Sequence, residues 1–76
     1  MEQQRNLIGT RVAELRQKLG LTQQELARKL QDNGYPFAYI DIVLMEGDQS
    51  SVTDLELMQL KKFFGTTYDY LIEGKK

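Results

Sequence analysis

Leu21-Thr22-Gln23-Gln24-Glu25-Leu26-Ala27 is the stretch with the strongest structural signal in this chain. Thr22 and Glu25 have the spacing of a capping box, in which each side chain accepts a hydrogen bond from the other residue's backbone amide. Leu21 and Leu26 stand where a hydrophobic staple would fix the angle at which the chain enters the helix. The pattern predicts a helix that begins after Thr22 and fades at Asp32-Asn33-Gly34. Its predicted inward face consists of Leu26, Ala27 and Leu30.

Helical signals extend on both sides of this stretch. Upstream, apolar residues recur at helical spacing and predict a first helix that stops at Gly20: Ile8, Val12, Leu15 and Leu19. Downstream of Pro36, a third helix is predicted from about Phe37 to Glu46, ended by Gly47 and followed by a polar loop over residues 48–51.

A second capping box predicts the start of a fourth helix. Thr53 and Glu56 form the box, Val52 and Leu57 stand as its staple, and the apolar pattern runs to Gly65. Thr67 is placed to cap a short fifth helix, which Gly74 would close. The sequence therefore predicts one all-α domain of five short helices over residues 1–76.

Composition narrows the classes of function. The 76 residues contain no cysteine and no histidine, so the usual thiolate and imidazole metal ligands and the usual general base are missing. Nothing resembles the nucleophile, base and oxyanion arrangement of an enzyme. We expect a domain without catalytic activity, metal or cofactor.

The overall charge argues against a nucleic-acid partner. Ten basic and eleven acidic residues give a net charge of −1, whereas DNA-binding domains usually carry a basic excess that neutralises phosphates. The polar N-terminus lacks the apolar run of a signal peptide, and no segment approaches the roughly 20 apolar residues of a membrane span. We expect a soluble, cytoplasmic protein without a membrane partner.

A set of residues spread along the chain resembles a known family. They are similar to the phage-repressor type of helix-turn-helix, the xenobiotic-response-element family of transcriptional regulators, and the resemblance extends from about residue 8 to residue 71. The residues that carry it are Leu15, Arg16, the stretch from Leu21 to Ala27, Ile42, Glu46, Leu57, Leu60 and Leu71. The resemblance implies the five-helix lambda-repressor-like DNA-binding fold, whose second and third helices form the motif and whose third helix lies in the major groove. It also implies a sequence-specific DNA-binding repressor that acts as a homodimer.

The same resemblance implies roles for four residues. Arg16 and Glu46 would form an ion pair between the first and third helices, and Thr22 would be a helix cap. Gln23 would approach a DNA phosphate. Arg16, Thr22 and Glu46 have a simpler interpretation as residues that only maintain the fold, because caps and ion pairs commonly stabilise folds.

The third helix departs from the family pattern. Its residues 38–46 read Ala-Tyr-Ile-Asp-Ile-Val-Leu-Met-Glu, where the family usually has polar groups that contact bases and phosphates. If Ile42, Met45 and Ala38 face the core, Ile40 and Leu44 point away from it at about 100° per residue. Tyr39 and Val43 then lie on one flank and Asp41 on the other. A helix that is apolar nearly all round needs cover, and so small a chain can hardly supply it.

We therefore predict that another protein binds this helix. The predicted contact residues, with Tyr39 as the strongest single contributor, are Tyr39, Ile40, Asp41, Val43, Leu44 and Asp48. If the chain binds DNA instead, the contact residues would be Gln23, Tyr39, Ile40, Asp41, Val43 and Leu44. DNA binding is the less favoured of the two, because Asp48-Gln49-Ser50 stands where the family often has Gly-Lys-Arg.

The apolar face of the third helix also suits two arrangements that need no foreign partner. It could be buried in a homodimer with two-fold symmetry, or the helix could pack differently and be simply core. The departures from the family crowd between Phe37 and Ser51, which suggests an engineered binder made on a helix-turn-helix scaffold. A natural regulator that uses this helix to dimerise or to bind an inhibitor would show the same pattern.

Overall fold

The computed structural model describes residues 8–47 and 52–73, and these residues form five α-helices and no strand. The helices are α1 (Ile8–Lys18), α2 (Gln23–Asp32), α3 (Tyr39–Glu46), α4 (Asp54–Phe64) and α5 (Tyr68–Glu73). The all-α prediction is confirmed. The predicted loop at 48–51 and the predicted stop at Gly74 lie outside the described residues. Among the helices described, none has the length and the apolar character that a membrane span requires.

Both predicted capping boxes are present. The Thr22 hydroxyl accepts from the Glu25 amide at 3.0 Å, and the Glu25 carboxylate accepts from the Thr22 amide at 2.8 Å. Thr53 and Glu56 form the matching pair of bonds at 3.1 and 3.0 Å. Because each box depends only on residues three positions apart, the starts of α2 and α4 follow from the local sequence.

One core holds the helices together. Among the described residues the buried side chains come from α1, α2, α3, α4 and α5 and from the segment before α3: Ile8, Val12, Leu26, Ala27, Leu30, Phe37, Ile42, Met45, Leu60 and Leu71. The predicted staple residues Leu21, Val52 and Leu57 are half-buried and pack against this cluster. The predicted inward face of α2 therefore does face the core, and so do Ile42 and Met45 of the face predicted for α3.

Three details differ from the sequence-based expectations. Leu19 lies beyond the end of α1 and is 56% exposed, because the chain turns at Gly20, whose φ of 72° takes it off the helical path. Ala38 is exposed rather than inward, because it is the extended residue before α3. Phe37 precedes the helix and is buried, so α3 begins two residues later than predicted.

The position of α3 depends on a close approach to α1. A Cβ atom added to Gly9 would lie 2.0 Å from the backbone oxygen of Met45, near the end of α3. Only a residue without a side chain lets the two backbones come this near. Gly9 therefore sets how α3 sits on α1, and its spacing in the sequence does not reveal this role.

Candidate functional site

The outer face of α3 carries the exposed apolar residues that the sequence singled out. We call Tyr39, Ile40, Asp41, Val43 and Leu44 the α3 surface. Ile40 is 53% exposed, Tyr39 is 46% exposed and Asp41 is exposed, while Val43 and Leu44 are half-buried. The sixth predicted contact residue, Asp48, lies outside the described residues.

The helical wheel correctly predicts which side of α3 faces the core, but it does not predict the exposure of every residue on the outer side. Ile42 and Met45 are buried and Ile40 is exposed, as predicted. Leu44, which the wheel places directly away from the core, is nevertheless half-buried. Neither Val43 nor Leu44 belongs to the apolar residues that pack against the core cluster. The α3 surface therefore consists of an exposed N-terminal end and a partly covered C-terminal end.

Asp41 has a structural task that the helical wheel does not reveal. Its Oδ2 atom accepts a hydrogen bond of 2.8 Å from the Ala38 amide at the start of α3. Ala38 has no side-chain acceptor to return the bond, so α3 has half of a capping box. Ala38 and Asp41 have the three-residue spacing of a capping box, which could have predicted this bond. Alanine is not a usual capping residue, so the pattern is easily missed in the sequence.

The far end of α3 is fixed by a polar network around Glu46. Arg16 donates from Nε and Nη2 to the two Glu46 carboxylate oxygens, at 2.7 and 3.0 Å, and from Nη1 to the Leu21 carbonyl at 2.8 Å. This hydrogen bonding to Glu46 raises the pKa of the Arg16 guanidinium. The ion pair that the resemblance implies is thus present, and it joins α1 to α3.

Gln23 belongs to the same network. Its Nε2 atom donates to Glu46 Oε1 at 3.0 Å, and the side chain is half-buried. A phosphate oxygen accepts hydrogen bonds, so a glutamine that approaches a phosphate must offer its amide hydrogens. In this arrangement one of them is directed to Glu46, which holds the Gln23 side chain in place and leaves the second hydrogen to meet another acceptor.

A second polar cluster joins α1 to α5. Tyr70 donates from its hydroxyl to Glu14 Oε1 at 2.9 Å, and Arg11 Nη1 donates to the same carboxylate at 3.2 and 3.3 Å. The Arg11 guanidinium also lies 5.7 Å from the centroid of the Tyr70 ring. The Tyr70 bond holds the pKa of Glu14 below its ordinary value, while burial and then Glu14 raise the pKa of Tyr70. Arg11 is therefore more than a solvated surface charge.

The other exposed apolar residues that the structure describes are distributed over several parts of the chain. Leu19 and Leu55 are exposed, on the chain after α1 and on α4, and single exposed apolar residues of this kind are normal. Tyr68 and Ile72 are exposed on α5, with the Lys61 ammonium 5.2 Å from the Tyr68 ring centroid. An open groove of about 370 Å³ lies between α1 and the turn before α5. The acidic side chains of the described residues form no group of three that could hold a metal ion.

Comparison with known proteins supplies no relative for this chain. No protein-family model matches it, and no curated protein or solved structure matches it either. The side chains described above therefore carry the functional interpretation.

Proposed function

We propose that this chain is a protein-binding domain that contacts its partner through the α3 surface. One observation carries the proposal: Tyr39 and Ile40 are adjacent, about half exposed, and continuous with the half-buried Val43 and Leu44 on one helix. Aromatic and branched aliphatic side chains in a contiguous patch have the composition of an interface core. Full burial of an aliphatic side chain contributes roughly 1.5–3 kcal/mol before the costs of association, and Ile40 has the most left to gain.

We further propose that the scaffold is a helix-turn-helix of the phage-repressor type. Three features support this: the capping box of Thr22 and Glu25, the ion pair of Arg16 and Glu46, and the packing of α3 on both α1 and α2. In that scaffold the outer face of the third helix is the surface that reaches a partner. The α3 surface thus occupies the position from which such domains reach outward, but with apolar groups in place of base-reading ones.

The test selects ligands for the α3 surface from a displayed library of random 20-residue peptides. Binding of the selected peptides is then measured on the full chain, on the double variant Ile40→Asp/Leu44→Asp, and on the matched control Leu55→Asp. Leu55 is an exposed leucine of α4, so its variant introduces a charge away from the α3 surface. We expect the double variant to lose binding by at least tenfold and the control to keep it.

Circular dichroism and urea unfolding check that both variants are folded. If the double variant unfolds, Ile40→Asp alone replaces it, because Ile40 is exposed in the native chain. Peptides that bind a correctly folded variant of the α3 surface as tightly as the original chain would overturn the proposal.

A sequence-specific DNA-binding homodimer is the second candidate, and the position of Gln23 at the start of α2 is the observation that favours it. Asp41 at the exposed end of the α3 surface weighs against it, because its carboxylate would repel DNA phosphates. Fluorescence anisotropy with a random-sequence DNA duplex at about 50 mM salt tests it, because phosphate contacts are strong at low salt. A rise in anisotropy when the chain is added, which weakens steeply with added salt, would favour DNA over a protein partner.

A further inference from the structure

We infer that the partner of the α3 surface presents a lysine or arginine beside its apolar contact, placed to pair with Asp41. This inference rests on the proposed function and specifies the chemistry of the partner. It follows from how charge is arranged around the exposed residues of α3.

The α3 surface has two unlike flanks. On a helix, Asp41 lies about 60° from Leu44 and about 100° from Ile40, on one side of the ridge that these two residues form. Tyr39 and Val43 lie on the other side. The ridge therefore has one acidic flank and one apolar flank, and a complementary partner must be asymmetric in the same way.

The N-terminus of α3 and the Ala38 amide stabilise the charge of Asp41, but no cationic side chain of the described residues pairs with it. Within residues 8–47 and 52–73 no lysine or arginine forms an ion pair with Asp41, and the group that donates to its carboxylate is the neutral Ala38 amide. The other acidic residue of α3, Glu46, is already neutralised by Arg16. The helix itself contains no basic residue. Burying Asp41 at an interface without a cation would leave a desolvated charge, which is costly.

A second copy of the chain complements the α3 surface less well than a different protein does. In an isologous dimer with antiparallel α3 helices, the Asp41 flank of one copy lies beside the Asp41 flank of the other. With parallel helices, the Asp41 flank lies beside Tyr39 and Val43 of the other copy. In neither arrangement does α3 supply a base for Asp41. A different protein with a basic residue at the rim of an apolar groove satisfies both flanks.

The experiment reads the composition of the peptides selected on the full chain. Peptides whose binding is lost in Ile40→Asp/Leu44→Asp are sequenced, and their lysine and arginine content is compared with that of the unselected library. We expect apolar anchors accompanied by a basic excess. Asp41→Asn should weaken these peptides about two- to fivefold, the range of an exposed ion pair. The amide oxygen of the new asparagine still accepts from Ala38, so the variant removes charge while keeping the cap.

The matched control is Asp32→Asn, which removes an exposed carboxylate at the end of α2. It should leave peptide binding unchanged. The inference would be overturned by peptides whose binding depends on Ile40 and Leu44 but which contain no excess of lysine and arginine, or whose affinity is unchanged by Asp41→Asn. The proposed function would still stand. Peptides that bind regardless of Ile40 and Leu44 would overturn both. A dimer in sedimentation that Ile40→Asp dissociates would replace the basic partner with a second copy.

Discussion

Among single residues, Gly9 is a position where an added side chain would collide with the backbone of another helix. Alanine is a better helix former than glycine by about 1 kcal/mol, so propensity alone predicts that Gly9→Ala stabilises the chain. The added Cβ would lie 2.0 Å from the Met45 carbonyl oxygen, however, and backbone cannot move aside as a flexible side chain does. We expect Gly9→Ala to lower the free energy of unfolding by about 1–3 kcal/mol in urea denaturation.

The neighbouring exposed residue provides the control for that prediction. Thr10 lies one position along α1 and is exposed, so Thr10→Ala should change the free energy of unfolding by no more than about 0.5 kcal/mol. A Gly9→Ala variant as stable as the original chain would mean that α1 and α3 can separate at this crossing without loss.

At the scale of the helices, α3 begins with an incomplete N-terminal cap. Ala38 has the extended backbone of a capping residue, with φ of −87° and ψ of 163°, but lacks the oxygen that would accept from the first turn. Ala38→Ser would restore that acceptor opposite the existing bond from the Ala38 amide to Asp41. We expect Ala38→Ser to stabilise the chain by about 1 kcal/mol in urea unfolding.

The complete capping box of α2 gives the reverse comparison. Thr22→Ala removes the hydroxyl that accepts from Glu25 and should cost about 1 kcal/mol. If Ala38→Ser leaves the unfolding midpoint unchanged while Thr22→Ala lowers it, the first turn of α3 is not limited by its cap.

For the molecule as a whole, the Arg11, Glu14 and Tyr70 cluster links α1 to α5 through groups that titrate. The folded-state pKa of Glu14 is lowered, chiefly by the Tyr70 hydrogen bond, so the native state favours the ionised carboxylate. Its contribution is present above the unfolded pKa of about 4.3 and is lost as pH falls through the lower folded value. We expect Tyr70→Phe to reduce the loss of stability between about pH 5 and pH 3, measured by urea unfolding at each pH.

At alkaline pH the contribution of this cluster to stability changes in the opposite direction: it is lost as the pH rises. The folded-state pKa of Tyr70 is raised by burial and by Glu14, so its contribution is present below the unfolded pKa of about 10 and is lost as pH rises through the folded value.

Tyr68→Phe is the control for the acid-side prediction, since that exposed ring contacts Lys61 and not Glu14. Equal acid sensitivity in the Tyr70→Phe variant and the original chain would contradict the assignment.

Features that depend on near neighbours along the chain could be predicted from the sequence alone. The five helices, the two capping boxes, the inward face of α2 and, apart from Ala38, the inward face of α3 were predicted from spacings of three or four residues, and the structure has them. The orientation of Ile40 followed in the same way, because the direction of a helical side chain is fixed by its neighbours' directions.

Contacts between residues far apart in the chain do not follow from local spacing: the ion pair of Arg16 and Glu46 was expected only from the family resemblance, and the others emerged once the helices were placed in three dimensions. Glu46 accepts from Arg16 and Gln23 at separations of 30 and 23 residues, and Glu14 accepts from Tyr70 at a separation of 56. The approach of Gly9 to Met45 and the half-burial of Leu44 are of the same kind. Such contacts depend on how helices are placed against one another, and helical periodicity specifies which face is buried but not which residue of another helix it meets.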